Sequence, residues 1–162
     1  MTVSTFFHVG ILVRDLTEAI PRFENVLGIK FLTPKPFILS RFVDVAHFGD
    51  EDPHPWEGCA VYSHQGPPYY ELLEAKGHGV FSLDDRDEGV HHLGMLVEDT
   101  HGKTFSMGEK GVEARAKGLG DGGQVRFWYS KPAGLHGVQL ELIDDTSRAI
   151  EEILAEIESY RR

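Results

Sequence analysis

The chain alternates between short apolar stretches of strand character and segments with helical spacing, and the alternation runs through twice. Residues 8 to 13, His-Val-Gly-Ile-Leu-Val, form a branched apolar run bounded by polar residues, the pattern of a buried strand. Asp15-Leu16-Thr17-Glu18 then fits a capping box. Leu16, Ala19, Ile20, Phe23 and Val26 follow at helical spacing, with Gly28 as the stop and Pro21 inside the helix. Ile29 to Thr33, Leu39 to Phe48, Cys59 to Ser63 and the segment around Glu71 read as further strands. Pro67-Pro68 marks the turn before the last of these. A second cycle opens near Val90, continues through a helix from about Asp99 to Glu109, and predicts strands at Val112 to Ala116, Gln124 to Tyr129 and Val138 to Ile143. Asp144-Asp145-Thr146-Ser147 leads into Ala149, Ile150, Ile153, Leu154 and Ile157, an amphipathic helix whose expected role is packing or subunit contact.

The two cycles share more than their periodicity. His8-Val9-Gly10-Ile11-Leu12-Val13-Arg14-Asp15 returns as His92-Leu93-Gly94-Met95-Leu96-Val97-Glu98-Asp99, and Tyr70-Glu71-Leu72-Leu73-Glu74 returns as Leu140-Glu141-Leu142-Ile143-Asp144. The chain therefore reads as one α+β domain over 1–162. It comprises a first βαβββ module at 5–75, a second at 90–144 and a C-terminal helix at 145–162. The interval between the repeated His and the repeated Glu is longer in the first module, and the extra residues fall between its middle strands, where a loop covering a substrate could be added.

Alternation along a strand puts His8, Gly10 and Leu12 on one face, and His92 with Gly94 on the matching face of the second copy. By the same rule His91 falls with Leu93 and Met95, so His92 is the counterpart of His8. The glycines leave room beside each imidazole for a close approach. A carboxylate among large apolar residues costs several kcal/mol unless a cation or hydrogen-bond donors compensate it, and here it occurs at two equivalent positions. If the halves pair about a pseudo-twofold axis, His8, Glu71, His92 and Glu141 reach one cavity. Two imidazoles and two carboxylates suit one divalent ion: Zn, Ni, Co, Mn or Fe(II). His47, His54, His64, His78, His101 and His136 have no repeat partner and read as solvated. Of Tyr62, Tyr69, Phe127, Trp128 and Tyr129, alternation lets only some wall the cavity.

Composition narrows the classes. With 162 residues, 41% hydrophobic and 26% charged, the chain has the material for one globular core. Its apolar runs fall far short of the ~20 residues of a membrane span, and no basic-then-apolar leader opens it, so a cytoplasmic protein without a membrane partner is expected. Cys59 stands alone, which excludes an internal disulfide and paired-cysteine metal sites. The net charge of −10 argues against a nucleic-acid partner.

The motif His-x-Gly-x-x-Val-x-Asp-Leu, a helix, and Leu-Gly-x-x-Phe, together with Glu71-Leu72-Leu73-Glu74 and Leu140-Glu141-Leu142-Ile143, resembles the vicinal oxygen chelate (glyoxalase, bleomycin resistance, dioxygenase) superfamily over residues 5 to 144. Gly89-Val90-His91-His92-Leu93-Gly94 is most similar to the methylmalonyl-CoA epimerases, and the His, Glu, His, Glu set also resembles bacterial glyoxalase I. The resemblance implies two βαβββ modules paired into a cupped mixed sheet around one divalent ion, with His8, Glu71, His92 and Glu141 at the ligand positions. The expected enzyme is an isomerase or epimerase that removes a proton next to the carbonyl of a small-molecule substrate through a metal-stabilised enolate, with Glu141 or Glu71 as base. A glyoxalase I-type lyase, an extradiol-type ring-cleaving dioxygenase and a non-catalytic ligand-sequestering protein are the alternatives. A homodimer is the expected assembly.

Overall fold

The computed structural model describes residues 4–162. The chain runs β1 (Thr5–Val13), α1 (Leu16–Leu27), β2 (Lys35–Val43), α2 (Val45–Phe48), β3 (His54–Tyr62), β4 (Tyr69–Glu74), β5 (Gly89–Val97), α3 (Thr100–Glu109), β6 (Ala114–Leu119), β7 (Val125–Ser130), β8 (Leu140–Asp144) and α4 (Arg148–Tyr160). All eight strands join one mixed sheet that curls into a closed barrel in the order β1-β4-β3-β2-β6-β7-β8-β5. Within each half the first and fourth strands run parallel, β1 beside β4 and β5 beside β8, and every other pairing is antiparallel. The halves meet along a long β1–β5 seam. On the far side they meet only through Phe42 and Val43 opposite Gly118 and Lys117, so the barrel is a cup with a weakly stitched wall.

The helices begin where the repeated aspartates stand. Asp15 accepts from the Thr17 amide and Asp99 from the Gly102 amide, each satisfying a donor left free at a helix start. Gly28 ends α1 in the left-handed region, and Pro21 lies inside that helix. α1 and α4 pack through Leu16, Ile150 and Ile157 onto a core that includes Phe7, Ile11, Tyr69, Leu72 and Ile143. A second apolar cluster fills the base of the first half around Phe42, Trp56 and Phe81, and a third gathers Val97, Val112, Trp128 and Leu142. No helix among the described residues is long and apolar enough to cross a membrane.

Two expected strands are corrected. Residues 29–33 make a single bridge, Phe31 with Ser63, and Pro34, which has no amide to donate, separates it from β2. The strand expected at 39–48 instead spans β2 and stops at Val43. Asp44 then caps the one turn of α2, accepting from the Ala46 amide, and Gly49 closes that turn with φ of 83°. The extra chain of the first module is this turn and the loop after it. It is tied back to the barrel, where buried Asp44 accepts from the Val80 amide at 2.7 Å.

Candidate metal centre

The seam between β1 and β5 builds the site. Gly10 pairs with His92 on one side and with Glu71 on the other; Gly94 pairs with His8 and with Glu141. Two parallel rows result, Glu71–Gly10–His92 and His8–Gly94–Glu141, each with a glycine in the middle. A Cβ on Gly10 would overlap the His92 ring, and a Cβ on Gly94 would overlap the His8 ring. The room left by the glycines is thus used by the imidazole of the opposite half, not by the one on the same strand.

The four side chains converge. His8 Nε2 lies 2.7 Å from His92 Nε2, 3.2 Å from Glu71 Oε2 and 3.0 Å from Glu141 Oε2. His92 Nε2 lies 3.3 Å from Glu71 Oε2 and 3.0 Å from Glu141 Oε2. All four donor atoms fall within 4.8 Å of one another and all four residues are buried. Donors held at about 2.0–2.2 Å from one ion stand about 2.9 Å apart as octahedral neighbours and about 3.4 Å apart in a tetrahedron. The observed spacings lie in the range expected of donors sharing one ion, and His8, Glu71, His92 and Glu141 are the residues that would hold it. Glu71 Oε2 and Glu141 Oε2 are buried without a hydrogen-bond donor, as expected of oxygens that need a cation.

Electrostatics point the same way. Burial alone would lower the His8 pKa, but the Glu71 and Glu141 carboxylates outweigh it and push it up to about 10. His92 is raised against the same opposing burial, by Glu141 first and then Glu71. Burial opposes ionisation of both glutamates, yet the imidazoles hold each below the usual carboxylate range, His8 chiefly for Glu71 and His92 chiefly for Glu141. The cluster therefore retains positive charge among its donors, the demand that a divalent ion meets. Tyr129 donates to Glu141 Oε1 at 2.5 Å, and Tyr62 is the cross-strand neighbour of Glu71. Burial first, and then the carboxylates, raise both phenols well above their ordinary value.

His91 departs from the alternation rule. The β1–β5 register skips a residue at Phe7 on one strand and at His91 on the other, so each is the extra residue of a β-bulge. The bulge turns His91 to the same side as His92, and their Nδ1 atoms lie 2.8 Å apart. His91 Nε2 is 2.6 Å from the Val80 carbonyl, which only accepts. His91 therefore carries its proton on Nε2 and accepts at Nδ1 from His92, leaving the His92 Nε2 lone pair facing the cluster. Burial, followed by the neighbouring His92, lowers the His91 pKa to about 3, which keeps the ring neutral. Gln139 donates to the His91 carbonyl at 3.1 Å and accepts from Arg115 at 3.3 Å. By contrast, His8 Nδ1 is buried without a partner. The repeat pairs His91 with Phe7, so the duplication gave no sign of this role; the doubled histidine itself was the only signal.

Of the aromatics proposed as walls, Tyr62, Phe127 and Tyr129 line the cavity above the cluster, while Tyr69 and Trp128 belong to the apolar cores. His47, His54 and His64 are corrections among the histidines read as solvated: each is partly buried, His47 beside the His78 carbonyl, His54 against Phe48 and Asp50, and His64 with its ring centroid 4.1 Å from that of Tyr160.

Residues 7–129 match the model of the Glyoxalase/Bleomycin resistance protein/Dioxygenase superfamily. The chain belongs to that superfamily. A comparison with curated proteins finds no match. Among solved structures of the superfamily's fold, a hypothetical protein of Bacillus halodurans C-125 superposes with TM-score 0.60 at 19% identity, covering 91% of this chain and 98% of its own. Methylmalonyl-CoA epimerase of Mycobacterium tuberculosis gives 0.55 at 19% identity, covering 90% and 91%. A variant of the Streptomyces coelicolor epimerase, in complex with 2-nitronate-propionyl-CoA, gives 0.56 at 20% identity, covering 87% and 96%. At these identities the likeness is one of fold.

Proposed function

We propose that this glyoxalase-superfamily protein is a divalent-metal-dependent isomerase of the epimerase type, which takes a proton from the carbon next to a carbonyl and returns it. The observation that carries the reading is the set of two imidazole nitrogens and two carboxylate oxygens, buried together at the floor of a cavity. His8, Glu71, His92 and Glu141 are the residues that would hold the ion, which supplies Lewis-acid polarisation of a bound carbonyl.

The protein's own groups divide the remaining work. Tyr129 ties down one oxygen of Glu141, making it the anchored carboxylate. Among the described residues the Tyr62 hydroxyl beside Glu71 makes no bond as short, so Glu71 is the less tightly held carboxylate and is assigned as the base. Held ionised at neutral pH, its carboxylate takes the proton on an oxygen and gives it back to the carbon on the face it borders. The Tyr62 and Tyr129 phenols stay protonated and keep their single hydroxyl protons for the carboxylates of Glu71 and Glu141. The structural likeness to methylmalonyl-CoA epimerases supports this chemistry as a class.

Proton exchange in deuterated solvent tests it, using 2-acyl thioesters, alpha-hydroxyketones and hemithioacetals with protein of measured metal content. Exchange should fall by about 10²- to 10⁴-fold in Glu71→Gln while metal content is retained. Undiminished exchange in both Glu71→Gln and Glu141→Gln removes the mechanism. Metal-loaded protein that binds a ligand from the panel yet exchanges no proton is instead a sequestering protein.

A further inference from the structure

The cavity above the cluster has a volume of about 450 Å³, within the range of sites that enclose a small organic ligand. Glu71 and Glu141 lie at its floor, while Phe37, Leu39, Phe81 and Phe127 contribute to its apolar walls. Its outer wall is α4, which presents Ile150 and Ile153 together with Glu152 and Glu156. Among the described residues, Lys35 is the one cationic side chain lining the cavity, and its Nζ is already held 2.5 Å from Glu156. The lining thus pairs four carboxylates with a single committed ammonium.

Resting on the metal-centred reading above, we infer that the ligand is uncharged and largely apolar beyond the oxygens it presents to the cluster, an aryl or branched-alkyl carbonyl compound, with α4 as the element that selects it. A phosphate, nucleotide or glutathione-like handle leaving the cavity would pass Glu152 and Glu156 and find no free cation among the lining residues. Electrostatic complementarity disfavours such a handle, whereas an aryl group fills the apolar walls at no charge penalty.

Hydroxamates test this directly, because all of them present the same pair of oxygens to a metal and differ only in the group they carry. The measurement is calorimetric titration of Zn-loaded protein, with metal content assayed, using acetohydroxamate, benzohydroxamate and benzohydroxamate bearing a para-sulfonate. Benzohydroxamate should bind about 10- to 100-fold tighter than acetohydroxamate, and the sulfonate should forfeit at least about 10-fold of that gain. Ile153→Ala should shrink the aryl-over-methyl preference, and Glu152→Gln with Glu156→Gln should soften the rejection of the sulfonate. Equal binding of the methyl and aryl probes, or tighter binding of the sulfonate, overturns the inference while leaving the metal reading intact. Protein that takes up no zinc overturns both.

Discussion

His91 and the two seam glycines carry the most specific consequences at the scale of single residues. Phe7 occupies the position equivalent to His91, so His91→Phe copies a side chain that the other half already accommodates at its bulge. The fold should survive at a cost of about 1–3 kcal/mol in ion-free protein, because the buried Val80 carbonyl loses its donor and His92 Nδ1–H its acceptor. Metal affinity, measured by chelator competition, should drop about 10- to 100-fold. Gly94→Ala drives a methyl group into the His8 ring and should cost about 1–3 kcal/mol in chemical denaturation, along with the metal. The charge state of His8 fixes a pH signature. Its folded pKa is raised from 6.5 to about 10, so in ion-free protein the protonated ring stabilises the fold fully below pH 6.5. That contribution is lost as pH rises through about 10. Thermal midpoints of ion-free protein should therefore fall between pH 6.5 and 10, while metal-loaded protein, in which the ion takes the proton's place, should stay nearly level.

At the scale of elements, the four converging side chains were legible because duplication wrote one histidine and one glutamate twice at matching strand positions. What alternation could not convey was the pair of bulges, since a skipped residue changes facing without changing composition. His91 was for that reason assigned to the wrong side. The short turn α2 was hidden for a related reason: Val45, Ala46 and Phe48 continue an apolar run, and only Asp44 marks the break. The packing role expected of α4 holds, with Ile150 and Ile157 in the core, but its amphipathic stripe reports that a face is covered and not that its edge borders a cavity. Asp44 also ties α2 to the buried cluster of His8, Glu71, His92 and Glu141. Its carboxylate holds the Val80 amide, and the Val80 carbonyl holds His91. Asp44→Ala should cost about 1–3 kcal/mol by stranding a buried amide and, unlike other losses of similar size, should weaken metal binding as well. Paired denaturation and chelator titrations read both effects.

For the molecule as a whole, the crossed arrangement of imidazoles and glycines has a consequence for assembly. Each ring rests in a notch cut into the opposite half, and each half supplies one nitrogen and one oxygen. Division of labour of this kind makes the halves obligate complements: cleaved in the exposed loop at 84–87, neither piece alone owns more than half a chelate. Mixed together, they have the β1–β5 seam to guide them back into register, and zinc should be captured only by the reunited pair. The ion would then act as a clasp between two copies of one ancestral unit, rewarding their union rather than the folding of either.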